Sequence, residues 1–121
     1  MSEGINSFRD LRIWQKGVDF VEMIYRITEN FPTKETYGLI SQMRRSAVSV
    51  PSNIAEGFRR KYTKEYKQFL SIALGSCGEL ETQIEISKRL GYILEDQYRK
   101  LLEDLSYICK MTQTLIKKLQ H

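Results

Sequence analysis

A chain of 121 residues and 14.3 kDa has room for one hydrophobic core but not for two independent ones. With 41% hydrophobic and 28% charged residues, only 2 Pro and 7 Gly, the composition excludes disordered and fibrous classes and favours a helical globule. The net charge of +4 is modest, so its meaning depends on where it sits.

A first helix is predicted over about residues 10–29. Asp10 is a candidate N-cap, and Leu11, Trp14, Val18, Val21 and Tyr25 alternate by three and four, which puts them on one face. Asn30, Phe31 and Pro32 end it. A second helix, about 34–58, can be capped by Thr33 or Thr36 and carries the apolar series Ile40, Met43, Ala47, Ile54 and Phe58 in phase through Pro51. Pro51 lacks a backbone donor and crowds the preceding turn, so a kink or short break near Val48 is expected. Gly57 suits a C-terminal cap.

A third helix, about 63–90, opens at Thr63 and lines up Tyr66, Phe69, Leu70, Ala73, Cys77, Leu80 and Ile84, with Gly91 as its terminator. Gly75 and Gly78 lie in its middle. Each costs a helix about 1 kcal/mol against alanine, so the pair predicts a close backbone approach, with a kink as the alternative. The fourth helix, about 95–119, starts with Glu95 and Asp96 and ends with Lys117 and Lys118, charges that suit the helix dipole. Tyr98, Leu101 or Leu102, Leu105, Ile108 or Cys109, Thr112, Leu115 or Ile116, and Leu119 form its heptad-like seam. The fold predicted for residues 1–121 is therefore all-α: a single antiparallel up-down-up-down four-helix bundle.

No apolar run approaches the roughly 18 residues of a membrane span, and Met1 to Asn6 lack the features of a leader, so no membrane partner and a cytoplasmic location are expected. Cys77 and Cys109 read as small, reduced, buried hydrophobes rather than a disulfide. The only histidine is His121, at the last position, so a triad or histidine metal site has no scaffold. Glu79, Glu81 and Glu85 lack the Glu-x-x-His partners of di-metal bundles, and no phosphate-cradling loop occurs. These readings predict a non-enzymatic protein with no cofactor and no metal.

Two polar features exceed what packing one bundle requires. Gln42, Arg45, Ser46, Ser49, Asn53 and Glu56 share a face of the second helix, rich in hydrogen-bonding groups but poor in Lys. That face reads either as an interface or as an ordinary solvated surface. Arg44, at the core edge, is free to pack its stem and reach a partner or a carboxylate. The second feature is the stretch Arg59 to Lys67, whose five positive charges and one negative equal the net charge of the whole chain. Arg59, Arg60, Lys61, Lys64 and Lys67 can neutralise phosphates, and Tyr62 and Tyr66 can stack on unpaired bases of RNA or DNA. Tyr66 is also in phase with the core, and a solvated loop that only aids solubility is the alternative.

The run Gln42-Met43-Arg44-Arg45-Ser46-Ala47-Val48-Ser49-Val50-Pro51-Ser52-Asn53-Ile54-Ala55-Glu56-Gly57-Phe58 resembles the four-helix-bundle proteins encoded in 23S rRNA intervening sequences, sometimes labelled S23 ribosomal proteins. Leu11 to Lys16 before it and Phe69 to Ser76 after it extend the likeness over nearly the whole chain. The resemblance implies a homopentamer around an axis and kinship with accessory variability proteins of diversity-generating retroelements, which work with reverse transcriptase and RNA. It transfers no catalytic residue. In such a ring the stripe at Gln42, Arg45, Ser49, Asn53 and Glu56, with Gly75 and Gly78, supplies interface candidates. Five basic stretches would make a band of about +20. Cys77 and Gly78 depart mildly from the expected helix formers. The expected function is an oligomeric RNA- or nucleic-acid-binding accessory protein; the alternative is a scaffold for a protein partner.

Overall fold

A computed structural model describes residues 4–119; Met1 to Glu3, part of the segment read for a leader, and Gln120 and His121 lie outside it. Four helices, α1 Arg12–Thr28, α2 Leu39–Phe58, α3 Thr63–Arg89 and α4 Glu95–Lys118, are joined by short connections; a 3-10 turn at Phe8–Asp10 precedes α1 and another at Thr33–Glu35 lies between α1 and α2. No strand occurs among the described residues. Each helix packs on its chain neighbours and α4 closes on α1, while the backbones of α1 and α3, and of α2 and α4, stand apart across the shared core. This is the expected up-down-up-down bundle. Among the described residues, no helix is long and apolar enough to cross a membrane.

The interior is filled from all four helices by Ile24, Met43, Ile54, Leu70, Leu80, Ile84, Leu101 and Ile108, each fully or almost fully buried. A buried side chain of this size contributes about 1.5–3 kcal/mol of transfer free energy. The predicted faces of α3 and α4 match the buried ones, but the face of α1 does not. Ile13, Gly17, Phe20, Ile24 and Thr28 point inward, whereas Val18 and Tyr25 are 39% and 40% exposed. The stripe read from the sequence is therefore the flank of the true one.

Gly17 explains the shift. A Cβ there would sit 3.2 Å from the Pro51 Cβ, so the bare glycine of α1 receives the proline ring of α2. Helix α2 runs without interruption from Leu39 to Phe58, and no break opens near Val48. Pro51 is buried.

Helix ends differ from expectation at three places. Asp10 completes the capping box of the 3-10 turn, whose N-cap is Ser7, rather than capping α1: Asn6 and Ser7 donate their backbone N–H groups to its carboxylate at 2.8 and 3.2 Å, and the Arg9 N–H donates to Ser7 Oγ. Helix α2 begins only at Leu39, because Thr33 to Glu35 form a separate turn; the Leu39 N–H donates to Glu35 Oε1 at 3.2 Å. Gly57 is no cap. It lies buried inside the last turn of α2, where a Cβ would meet Phe69 Cβ at 2.9 Å and the Tyr66 carbonyl at 3.1 Å. The close approach expected at Gly75 and Gly78 occurs here instead, since both of those glycines face open space within the chain. Gly91 does terminate α3: at φ +78 it lets the Tyr92 N–H donate to the Ser87 carbonyl and its own to Lys88.

Candidate nucleic-acid interface

The turn between α2 and α3 sets the basic stretch at one end of the bundle. Arg59 follows the last residue of α2, Lys61 and Tyr62 form the connection, and Lys64 and Lys67 occupy the first turns of α3. Arg59, Lys61 and Lys64 are exposed, Lys67 is half-buried, and none of the four has a carboxylate partner among the described residues. Arg60 is different. Its guanidinium pairs with Glu56 and lies 4.7 Å from the centre of the Phe69 ring, so it is partly committed to the fold.

The two tyrosines separate as well. Tyr62 is 60% exposed and available for stacking, with the Lys61 ammonium 5.8 Å from its ring. Tyr66 packs edge-on against Phe58 at 6.1 Å, and burial pushes its phenol up to about 12. It belongs to the α2–α3 seam rather than to the surface.

Antiparallel topology adds cations that the linear reading did not assign. The start of α1 and the end of α4 share this end of the bundle, bringing exposed Arg9, Arg12, Lys110, Lys117 and Lys118 to it, with Asp10, Glu56 and Glu65 as counter-charges. The up-down-up-down order itself was the signal that could have found them. At the opposite end, ion pairs consume most charges: Arg26 with Glu22, Lys88 with Glu95, Arg89 with Glu85 and Arg99 with Glu95. Positive potential therefore concentrates at one pole.

The polar face of α2 divides in two. Ser76 Oγ donates to Ser49 Oγ at 2.7 Å, Ser46 Oγ donates to Glu79 at 3.3 Å, and the Gln83 amide donates to Ser46 at 3.3 Å. Asn53 donates to the Ser49 carbonyl and hydroxyl. Ser46 and Ser49 thus serve the contact with α3 of the same chain, the small side chains letting the helices approach, while Asn53 bonds back to its own helix at Ser49. Gln42, Arg45 and Glu56 remain exposed, as do Gly75 and Gly78. Arg44 acts on α1: its Nε donates to Thr28 Oγ1 at 2.9 Å and a terminal nitrogen donates to the Tyr25 carbonyl at 3.2 Å, with the guanidinium 4.4 Å from the Tyr25 ring. A cation there satisfies the carbonyl end of the helix.

Cys77 and Cys109 are distant in sequence but neighbours across α3 and α4, both as free thiols. The neighbouring Cys109 thiol, together with burial, pushes the Cys77 thiol up. Among the described residues, no group of three or more His, Cys, Asp and Glu gathers to hold a metal.

Residues 9–114 match the sequence model of a family described as 23S rRNA-intervening sequence protein. The crystal structure of a protein of unknown function from the S23 ribosomal protein family, from Bacteroides thetaiotaomicron VPI-5482, is similar with a TM-score of 0.79 and 27% identity. That similarity covers 87% of this chain and 98% of the other. No curated protein matches.

Proposed function

The chain belongs to the 23S rRNA-intervening sequence protein family, and from that premise we propose that it is a non-enzymatic, oligomeric nucleic-acid-binding accessory protein acting on RNA in the cytoplasm. One observation carries the reading: among the described residues Arg59, Lys61, Lys64 and Lys67 have no carboxylate partner, at a pole where Arg9, Arg12, Lys117 and Lys118 join them, while ion pairs take up most charges of the other pole. Phosphates would replace the missing counter-charges and release bound cations, and exposed Tyr62 offers a face for an unpaired base. The single histidine and the free thiols support a binding role in a reducing compartment.

Fluorescence anisotropy against salt tests this reading. For a single strand held by four such cations, the logarithm of affinity should fall with the logarithm of salt at a slope of about −3. Charge reversal at Arg59, Lys61 and Lys64 should flatten that slope. Absence of binding at low salt, or an unchanged slope in the reversed variant, would remove the proposal.

A second reading, a scaffold for a protein partner, is favoured by apolar side chains left outside the core on and just after α3. Ile72 is 51% and Leu90 53% exposed. Partners that co-purify after nuclease treatment and are lost on Ile72→Glu substitution would select it.

A further inference from the structure

A cleft of about 360 Å³ opens at the basic pole between two pieces of chain that are remote in sequence. One wall is Asn6, Ser7, Phe8 and Arg9; the other is Phe58 and Arg59. We propose that this cleft is a subsite for one unpaired nucleotide, its base against the Phe8 and Phe58 walls and its phosphate between Arg9 and Arg59. The inference deepens the nucleic-acid reading above and rests on it.

The volume lies near the lower bound for small-ligand sites, roughly 300 Å³, which admits a mononucleotide but no base pair. Both walls are held in place. The backbone N–H groups of Asn6 and Ser7 are tied to Asp10, and the Gln15 amide donates to the Arg9 carbonyl at 2.7 Å, so the first wall is fixed to α1. The Phe58 ring is braced by Tyr66 from α3.

The chemistry of the lining narrows the ligand. Arg9 and Arg59 are exposed and make no ion pair among the described residues, so they repel one another across the cleft until an anion enters. The Arg9 guanidinium lies 5.4 Å from the Trp14 ring centre, which limits its motion and leaves its fork free for a phosphate. An inorganic anion would satisfy the two charges but leave the phenylalanines wet. A planar base joined to a phosphate uses both, and the Asn6 amide can donate to and accept from its edge.

The preference that follows is for single strands. A base in a duplex cannot leave its stack without losing its pairing, whereas a splayed base enters at little expense. Lys61, Lys64 and Lys67, beyond the cleft, would hold either form through phosphates.

The test is ¹⁵N-resolved NMR titration of the full chain with AMP, ribose 5-phosphate and inorganic phosphate as separate probes. AMP should shift the amides of residues 6–9 and 58–59 in a saturable way, and ribose 5-phosphate should bind at least about fivefold more weakly because it lacks the stacking base. Arg9→Ala, at an exposed position, should weaken AMP while leaving the spectrum folded, and Phe58→Leu should remove the advantage of AMP over ribose 5-phosphate. No AMP response at these amides, or an equal response to phosphate alone, overturns the subsite. Lys61→Glu with Lys64→Glu separates the two claims: RNA binding should fall while AMP still reaches the cleft. If RNA fails to bind the wild type but AMP occupies the cleft, the broader function falls alone; if RNA binds and AMP does not respond, only the subsite falls.

Discussion

Gly57 has no side chain at the point where α3 crosses the end of α2. Alanine there would improve helix propensity by about 1 kcal/mol. It would also drive a methyl group to 2.9 Å from Phe69 Cβ and 3.1 Å from the Tyr66 carbonyl, atoms anchored to the backbone of α3. Forcing the helices apart costs about 1–3 kcal/mol, and neighbouring Ser49–Ser76 and Phe58–Tyr66 contacts would be strained with it. The expected outcome of Gly57→Ala is a net loss of about 1–2 kcal/mol, read from the urea midpoint at constant m-value. A gain in stability would show that the α2–α3 seam can relax. The same geometry bears on function, since Arg59 and Phe58 follow Gly57 directly and move with it.

At the scale of the element, the link between α3 and α4 is polar and pH-sensitive. Tyr98 donates to Glu85 at 2.6 Å, Arg89 donates to the same carboxylate at 2.9 Å, and Lys88 joins Glu95 at 3.0 Å. The Tyr98 and Arg89 hydrogen bonds hold Glu85 below its usual range, and Lys88 with Arg99 does the same for Glu95. Both carboxylates therefore contribute stability above the unfolded value of about 4.3, and that contribution is lost as pH falls through the folded values. Tyr98 is shifted the other way, upward, by Glu85; its contribution is present below about pH 10 and lost as pH rises through the folded value. Tyr98→Phe should flatten both limbs of stability against pH, measured as urea midpoints from pH 3 to 11 in about one-unit steps. Limbs as steep as those of the wild type would show that the hydrogen bond does not couple the helices.

Helices α3 and α4 were legible because their buried positions are strongly apolar and their ends carry glycine, acids and bases where the backbone needs them. The inward face of α1 was not, for a physical reason. Its inward face includes Gly17 and Thr28, so it scores as less apolar than the flank Leu11, Trp14, Val18, Val21 and Tyr25. Thr28 is nevertheless buried because its hydroxyl donates to the Ile24 carbonyl, and Gly17 because Pro51 fills its place. Pattern reading sees neither compensation. The basic stretch was visible as a run of charge, but Arg9 and the cleft wall beside Phe58 exist only once the chain has folded back on itself. Tyr66 shows the converse: its spacing fitted both a stacking surface and a core, and the contact with Phe58 resolves which.

For the whole molecule, the unresolved tension is between α3 as a helix and α3 as a surface. Gly75 and Gly78 lie exposed in its middle with nothing of the same chain near the place of a Cβ, so each weakens the helix by about 1 kcal/mol without serving a contact within the chain. A groove beside Gly78 runs onto α4 between Thr82, Ile86 and Leu102, with the polar Glu81, Glu85, Arg89 and Tyr98 along it. Two bare glycines of this kind are explained if another copy packs its backbone closely there. The two effects have opposite signs, which makes the surface testable. Gly75→Ala with Gly78→Ala should raise the stability of dilute monomer by roughly 1–2 kcal/mol, because alanine is the better helix former and meets no neighbour. In light scattering at micromolar concentration the same variant should lose mass relative to the wild type, because two methyl groups now hold the copies apart. A stabilised variant whose mass matches that of the wild type would place the assembly surface elsewhere, with exposed Gln42 and Arg45 on α2 as the next positions to substitute. A monomeric wild type would remove multivalency from the RNA proposal and leave each basic pole to bind alone, with the weaker affinity that a single short cationic stretch provides.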